Sequence, residues 1–551
     1  MSFNRFRRQA LGTLALALTL AGCGGGGGGG GGGNSGPINS QLAPACSGAA
    51  CAAVNATTYA GQGVGIWSYA NTTQSEQQIA VGLNNLGTKP VTLIYTNAGD
   101  ASVAMPALAL TPQAQSRALQ NVSEDPASSP QVNQIPERVR RFKPSLAPQH
   151  GSTDIQPSRL AAAAPPQPLG SQRSWFIDAD GPAIESRTAT LRRQTSAPTP
   201  AGSRTINLWL ENPEYGPGKV SDAMLDTIMQ RFANGPDAVH TLVTGLAGQP
   251  WGPHNRSNLI DPDQAIDIVL VNFVPDGKPY GLLGYFWSLN DFKADPNNAQ
   301  LKYSNQSLSF YIDTETLYLA VNGTTTQIST LAHEFIHMIN FYQRSVLQGT
   351  QYQFDTFLEE MTALMAEDLL ADRVTPGTNP MRDRRIPQWL SRPGFNCDLA
   401  AWIGSTGSTC LGYNIVGSLG AYLLRQHGIG FYQQLLRNFS ATDSLQVLGN
   451  AIGQVSGISL PATLQRWGAD IALLPSTAPA GYGWPARSEQ GFTLPAIEGQ
   501  MYANIRNLPS TVPPQLMARG HFPFMRQPDA QGRYQELLRV PAGTTLTAVV
   551  Q

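Results

Sequence analysis

The chain has 551 residues, a formal net charge of −1 and only 13% charged residues. This length predicts more than one domain. The absence of a basic patch argues against a nucleic-acid-binding protein, and the abundance of Gly and Pro with few charges is typical of a secreted protein.

The first 23 residues are typical of a secretory signal that ends in a lipidation site. Basic residues precede an apolar run over 10–21, which is too short for a stable membrane span. Leu20-Ala21-Gly22-Cys23 resembles the bacterial lipobox, which would leave Cys23 as a lipid-modified N-terminus. Ordinary cleavage beside an incidental cysteine is the alternative. Gly24 follows, where Asp would favour inner-membrane retention, so we expect a bacterial cell-envelope protein, anchored in the outer membrane or secreted.

Residues 24–51 begin with an unbroken glycine run over 24–33, which cannot pack and predicts a flexible tether. Apart from the lipobox cysteine, the chain has Cys46 close to Cys51 and Cys397 close to Cys410. Two local disulfides formed in an oxidising compartment are the simplest interpretation, although other pairings remain open. Cysteine-bound zinc is disfavoured because neither pair has C-x-x-C spacing.

Residues 52–112 alternate and are rich in Thr, Val, Tyr and turn residues, which predicts a small β domain. Residues 113–204 are rich in Pro, Gln, Ser and Ala, which predicts a linker or a pro-segment. A basic cluster over 138–143 in that stretch suits either a processing site or a solvated charge run.

Residues 205–480 alternate between strand and helix patterns. Strands are predicted at 206–211, 266–273 and 307–312, and 221–232 has the period of an amphipathic helix. Strands followed by helices predict an α+β domain. Residues 481–551 contain short strand patterns and several prolines, which predict a C-terminal β-rich region.

The segment His333-Glu334-Phe335-Ile336-His337 has the pattern H-E-x-x-H. Residues four apart share a helix face, so His333 and His337 can bind one zinc ion, and Glu334 lies beside them as a base for water. A motif this short also arises by chance, with the histidines as core or surface residues. The third ligand therefore decides the interpretation.

A catalytic zinc usually takes three protein ligands. The metzincin extension is absent, since Asn340 stands where its Gly belongs. The predicted helix over 356–368 offers carboxylates instead. Glu360 lies on a mostly apolar stripe, where an unpaired carboxylate is costly to bury, and this favours it as ligand over Glu359. Glu359 also forms a capping-box pattern with Thr356.

Glu367 lies two turns beyond Glu360 on the same predicted face. It either orients a ligand histidine by a hydrogen bond or is a solvated helix residue, and Asp368 is a weaker candidate for the orienting role. A third helix is predicted from residue 412, with Gly428 as its end. Its small residues allow close packing and are Gly417, Gly420 and Ala421.

These helices resemble the hyicolysin family of bacterial zinc metallopeptidases, which belongs to the gluzincins. The resemblance rests on residues 333–341, 358–360 and 365–369, and it covers roughly 205–430. It implies a gluzincin-like α+β protease domain with a mixed sheet, a zinc cofactor and a glutamate as third ligand. The family has Asn where this chain has Glu359.

The resemblance also implies a Tyr or His donor for the oxyanion after the ligand glutamate. Tyr413 is the preferred residue, with packing at the helix start as its alternative role; His427 is the other candidate, and its place in the last turn also suits the helix dipole. Gluzincins bind substrate backbone at a sheet edge, which the aromatic segment 284–287 would supply. The aminopeptidase signature G-x-M-E-N is absent, which argues against amino-terminal trimming.

We therefore expect a monomeric zinc-dependent endopeptidase that acts on proteins or peptides and contacts the membrane through its lipid anchor. One alternative is a surface-anchored, adhesin-like binding protein with an inactive protease-like domain. The other is a zinc hydrolase of a non-peptide bond, because H-E-x-x-H specifies the metal better than the substrate.

Overall fold

The computed structural model describes residues 39–110, 135–143, 145–146, 167–200, 202–392, 394–404, 408–473 and 478–551. Cys23, the rest of the predicted signal and the glycine run lie outside the described residues. Within the described part of the chain, no helix combines the length and apolar character needed to cross a membrane.

The N-terminal strands are β1 (Ala43–Pro44), β2 (Gly65–Ala70), β3 (Gln77–Leu83), β4 (Val91–Asn97) and β5 (Val103–Ala104). The central elements are α1 (Glu137–Arg141), β6 (Gln172–Ile177), β7 (Glu185–Thr199), β8 (Gly202–Glu211), α2 (Asp222–Ala233), α3 (Val239–Ala247), β9 (Ile266–Val271), β10 (Gly284–Phe286) and β11 (Leu308–Asp313).

The helices that follow are α4 (Thr314–Leu319), α5 (Gly323–Asn340), α6 (Thr356–Val374), α7 (Ile386–Ser391), α8 (Gly412–Leu436), α9 (Ser444–Ser456) and α10 (Leu460–Ala469). The C-terminal strands are β12 (Arg487–Glu489), β13 (Phe492–Leu494), β14 (Gln515–Leu516), β15 (His521–Arg526), β16 (Tyr534–Val540) and β17 (Thr544–Val550).

A six-stranded mixed sheet with the order β10-β11-β9-β8-β7-β6 supports the helices. β9 runs parallel to β8 and β11, and the outer pairs are antiparallel. The predicted strands correspond to β8, β9 and β11, and the predicted helix over 221–232 corresponds to α2. The aromatic segment forms β10 at the sheet edge, next to α5. The α+β fold class is confirmed.

The predicted linker or pro-segment contains two strands of this sheet. β6 and β7 come from residues 172–199, and their alternating side chains Trp175 and Leu191 are buried in the main core. The alternating apolar residues of β6 and β7 were not recognised as strands because residues 113–204 as a whole are rich in polar residues and proline. The linker interpretation therefore fails for these residues, because they complete the six-stranded sheet.

The N- and C-terminal β regions form one structure. β17 lies between β2 and β4 in an antiparallel five-stranded sheet with the order β1-β2-β17-β4-β15, and β16 pairs with β3. Trp67 and Phe522 share one apolar core. The sequence assigned 52–112 and 481–551 to separate regions. In the structure the two regions pair with each other, since either region alone would have unpaired strand edges and an incomplete apolar core.

Helix α5 packs against the mixed sheet through Phe335, whose ring centroid lies 5.3 Å from that of Phe232 on α2 and 6.4 Å from that of Phe310 on β11. Helix α8 lies close to α6, since a Cβ on Gly420 would come within 2.9 Å of Met365 Cγ. The helix is broken at Gly428, where φ is 80°, a left-handed value that favours glycine. The break coincides with the predicted end.

Two disulfides are present, Cys46–Cys51 and Cys397–Cys410. They are the two local pairs that the spacing favoured. Cys410 of the second bridge lies two residues before α8 begins.

Candidate active site

Three side chains from two helices converge on one point. Glu360 Oε2 lies 3.0 Å from Nε2 of His333 and 3.8 Å from Nε2 of His337. One potential ligand atom from each residue lies within 4.8 Å of the other two. Two imidazole nitrogens and a carboxylate oxygen form a donor set typical of catalytic zinc.

The burial of the three groups tests whether a metal fits. His333, His337 and Glu360 are 3%, 8% and 2% exposed. His337 Nε2 is buried and has no hydrogen-bond partner among the described residues. A buried nitrogen without a partner is costly unless something else binds it. A divalent cation between the three residues would bind it and offset the charge of Glu360, so the donor set fits zinc.

The opposite side of each imidazole is held by a second carboxylate. Glu367 Oε1 lies 2.7 Å from Nδ1 of His333, and Glu359 Oε1 lies 2.8 Å from Nδ1 of His337. Each carboxylate accepts the Nδ1–H hydrogen bond, which leaves Nε2 as the nitrogen that faces Glu360. Glu367 thus makes the orienting contact considered from the sequence.

The predicted capping box of Thr356 and Glu359 is wrong. Asp355 is the residue that precedes α6, and Thr356 is already helical. Glu359 instead accepts hydrogen bonds from His337 and from Nδ2 of Asn340, the latter at 3.0 Å. The three-residue spacing of Thr356 and Glu359 matches a capping box. In the structure, Glu359 accepts hydrogen bonds from side chains of α5 instead.

Asp368 does not contact the histidines. Its carboxylate pairs with Arg425 in the core, with Oδ2 2.5 Å from Nη1, and both side chains are fully buried. Asn379 Nδ2 donates a further hydrogen bond to it at 2.7 Å. The residue therefore ties α6 to α8, and its proposed orienting role is corrected.

The charges in this cluster shift the titration of its members. Burial lowers the pKa of His333, but its hydrogen bonds to Glu360 and Glu367 raise that pKa well above the ordinary value. Burial raises the pKa of Glu360, but hydrogen bonding from His333 and the charges of both histidines bring it below its usual value. The metal-free cluster therefore retains a proton on His333, which a metal must displace.

Glu334 is fully buried beside the cluster. Its Oε2 accepts a 2.8 Å hydrogen bond from the backbone N–H of Phe286 in β10. Its Oε1 has no hydrogen-bond partner among the described residues. Burial raises the pKa of Glu334, so the carboxylate binds a proton more readily than usual. One oxygen is fixed by the edge strand and the other remains available to accept a proton.

Tyr413, at the start of α8, is the one of the two predicted donors that reaches the cluster. Its ring centroid lies 6.4 Å from that of His333, and its hydroxyl lies near the Glu360 carboxylate. That hydroxyl is buried and makes no standard hydrogen bond with the described residues. His427 is 14 residues farther along the same helix, about 21 Å away at 1.5 Å per residue, and packs on Phe431.

Arg385 was not predicted from the sequence as a residue of the site. Its guanidinium carbon lies 5.0 Å from the ring centroid of Tyr413, and its Nε and Nη1 have no partner among the described residues. On the other side, Trp402 contacts the same ring edge-on at 4.8 Å between centroids. These two contacts fix the ring of Tyr413. Arg385 stands in a run of charged residues that is typical of a solvated surface, so no sequence signal indicated its burial.

A cleft of about 490 Å³ opens onto the cluster. His337, Glu359 and Glu360 line it together with Phe286 of the edge strand. Side chains from residues 135–143 line it as well. The cleft therefore joins the metal-binding residues, a sheet edge and a segment from well upstream in the chain.

Residues 184–551 match the family model described as Peptidase M30, and residues 44–110 match a domain of unknown function, DUF8571. No match was found among curated proteins. Similar solved structures include an M1 zinc metallopeptidase from Deinococcus radiodurans, at 14% identity and a TM-score of 0.29, covering 62% of this chain and 63% of that chain.

A mutant of that M1 zinc metallopeptidase bound to a Tyr-Ser-Ala substrate has 14% identity and a TM-score of 0.29, with 54% of this chain and 60% of that chain covered. The matched part thus spans less than two thirds of the length of these structures. The family model, in contrast, matches well over half of the present chain. The chain therefore belongs to the peptidase M30 family, which confirms the resemblance to the hyicolysin zinc metallopeptidases.

Proposed function

We propose that the protein is a zinc-dependent endopeptidase that hydrolyses peptide bonds of protein substrates. The observation that carries the proposal is the convergence of His333, His337 and Glu360, with the free Oε1 of Glu334 beside them. The three would hold the zinc. When bound, zinc supplies Lewis acidity, which makes water nucleophilic near neutral pH and polarises the scissile carbonyl.

Glu334 acts as the general base and then as the general acid. Its free Oε1 accepts the proton of the attacking water and delivers it to the leaving amine nitrogen. The hydrogen bond from Phe286 to Oε2 holds the carboxylate still while the proton moves. The raised pKa of Glu334 suits both steps, since the group must gain and lose a proton in each cycle.

Tyr413 is the proposed oxyanion donor. Its buried hydroxyl lies near the Glu360 carboxylate but makes no standard hydrogen bond with the described residues, and once that carboxylate is engaged by zinc the hydroxyl can donate to the carbonyl oxygen as negative charge develops. Contacts with Arg385 and Trp402 hold the ring in place before substrate binds. A donor that is positioned in advance costs little reorganisation during the reaction.

Two features favour cleavage within chains. The aminopeptidase signature is absent from the sequence, and β10 offers a sheet edge along which an extended peptide can lie. An adhesin-like protein with an inactive domain would not need the free carboxylate oxygen, and a non-peptide hydrolase would not need the sheet edge.

The test uses a chain that begins after residue 33, with its disulfides formed, and its Glu334→Ala partner. Zinc per chain and hydrolysis of unfolded casein are measured on both. About one zinc in each, with cleavage only in the parent, supports the proposal. Absence of zinc from the folded parent contradicts it and favours the binding protein. Zinc without cleavage of casein or peptides, but with cleavage of esters, favours the non-peptide hydrolase.

We also propose that Cys23 carries the lipid anchor, which places a monomeric enzyme at the cell envelope with protein or peptide substrates. The lipobox pattern and the glycine run after it support this location. Metabolic labelling with a radioactive fatty acid tests it. The parent should be labelled and the Cys23→Ala variant should not, and equal absence of label from both contradicts the anchor.

A further inference from the structure

We propose that residues 135–143 and 145–146, which we call the strap, form a permanent wall of the substrate cleft and favour substrates with a large apolar side chain. The inference rests on the proposed function, because it assigns substrate contacts at the same site. The strap lies outside both sequence matches, 184–551 and 44–110.

The strap is firmly attached to the protease domain. Nε and Nη2 of Arg138 each lie 2.8 Å from an oxygen of Asp178, whose side chain is fully buried. Near the other end, Nδ2 of Asn258 donates to the carbonyl oxygen of Ser145 at 3.0 Å. Breaking a paired, buried carboxylate away from its arginine is strongly unfavourable. This attachment favours a built-in wall over a removable pro-segment.

A row of aromatic rings leads from the strap to the edge strand. The ring centroid of Phe142 lies 5.8 Å from that of Phe292, which lies 6.3 Å from that of Phe341. Phe341 in turn lies 6.2 Å from Phe286, whose N–H binds Glu334. The row thus connects the strap to the proposed general base.

The cleft identifies the side chain that would bind there. Phe142, Phe286 and Phe341 line the cleft that His337 also lines, so a peptide bound at the metal-binding residues lies against them. An apolar substrate side chain gains contact with these three rings and leaves water, whereas a small side chain gains less contact with them. The occupant is an extended peptide with a large aliphatic or aromatic residue next to the scissile bond.

Full-length Phe142→Ala and Phe176→Ala variants test the strap. Phe176 makes an edge contact with Tyr303 at 5.5 Å, similar to that of Phe142, but it does not line the cleft. A peptide mixture is digested and its cut bonds are identified by mass spectrometry. We expect Phe142→Ala to reduce the preference for large apolar residues about tenfold, and Phe176→Ala to retain it. Equal preference in all three proteins overturns the inference.

A binding measurement separates this inference from the proposed function. Fluorescein-labelled peptides that differ only by Leu or Ala are titrated into the Glu334→Gln protein with and without Phe142→Ala. Tighter binding of the Leu peptide that depends on Phe142 supports the strap even if the parent cleaves nothing, which would defeat only the proposed function. Cleavage by the parent with peptide binding independent of Phe142 overturns the strap alone.

A third measurement distinguishes the wall from a pro-segment. Recognition sites for a specific protease are inserted within 111–134 and within 147–166, and the chain is cut at both. Unchanged kcat/KM on casein, with the strap fragment retained after gel filtration in buffer, supports a permanent wall. A several-fold rise in kcat/KM on cutting, with release of the strap fragment, overturns it.

Discussion

Glu359 and Glu360 are adjacent in the chain yet face opposite sides of one imidazole. Glu359 Oε1 lies 2.8 Å from Nδ1 of His337, whereas Glu360 Oε2 lies 3.8 Å from Nε2 of the same ring. Neighbouring residues on a helix point about 100° apart, which allows α6 to hold the ring between two carboxylates. One acid sets the orientation of the ring, and the other completes the metal-ligating group.

Substitution of these two acids should therefore have unequal effects on zinc binding. Glu360→Ala removes a proposed ligand and should abolish stoichiometric zinc, while Glu359→Ala should weaken zinc affinity by about 10- to 100-fold by freeing the ring of His337. Competition with a chelating dye measures both affinities. Asp372→Ala, at an exposed position of the same helix, is the control. Equal losses in the two glutamate variants would contradict the division of roles.

The hydroxyl of Tyr413 should matter for turnover and not for the metal. Tyr413→Phe keeps the ring between Arg385 and Trp402, so zinc content and KM should change little, while kcat should fall by roughly 10²- to 10³-fold through loss of an oxyanion donor. His427→Gln should leave kcat unchanged because of its distance along α8. Steady-state kinetics on one peptide decides this, and a fall in zinc content with Tyr413→Phe would indicate a structural role.

Local periodicity was sufficient to predict much of the site. The four-residue spacing of His333 and His337 requires only a helix, and the apolar stripe around Glu360 identified the acid that turns toward them. The contacts that escaped prediction are long-range. The role of Glu359 depends on how α5 lies against α6, and a local capping pattern competed with it.

The β structure shows the same limit. Each strand was recognisable from alternation, but the pairing of β17 with β2 and β4 joins residues hundreds of positions apart, and nothing in a single sequence specifies such partners. Arg385 was likewise not predicted, because residues in charged runs are usually solvated. Its burial follows from the assembled fold alone.

Zinc affinity should rise with pH beyond the range expected of free histidine. Hydrogen bonds to Glu360 and Glu367 raise the pKa of His333 well above 6.5, so the metal-free ring stays protonated to higher pH and zinc must displace that proton. The dissociation constant should therefore fall up to tenfold per pH unit while that proton is being displaced, including above pH 7. Chelator competition between pH 6 and 9 measures it.

Glu367→Ala provides the internal comparison for that series. Removing this carboxylate lowers the pKa of His333 toward its ordinary value. The pH range over which the zinc dissociation constant falls steeply should therefore move to lower pH. Ser329→Ala removes only a 3.1 Å hydrogen bond to the other oxygen of Glu367 and should move it less. A parent affinity that is flat above pH 7 would contradict the protonated cluster.

His521 should make the joined β structure sensitive to mild acid. Its Nδ1 lies 3.0 Å from Oγ1 of Thr96 across β15 and β4, and its ring contacts Trp467 of α10 edge-on at 4.9 Å. Burial lowers the pKa of His521 from 6.5 to about 3. Because the folded pKa is depressed, the stability it confers is present above pH 6.5 and is lost as pH falls toward 3.

Between pH 7 and pH 5, this one group should lower the free energy of unfolding by about 2 kcal/mol, because the unfolded chain binds a proton that the folded chain does not. Urea unfolding at both pH values measures the free energy for the parent and for His521→Gln, whose amide can still bond Thr96. Between pH 7 and pH 5, the free energy of unfolding should fall by about 2 kcal/mol less in the variant than in the parent. His240, whose pKa burial lowers to about 4, remains in both proteins, so its contribution cancels. Identical losses would mean that His521 is solvated or already charged in the folded protein.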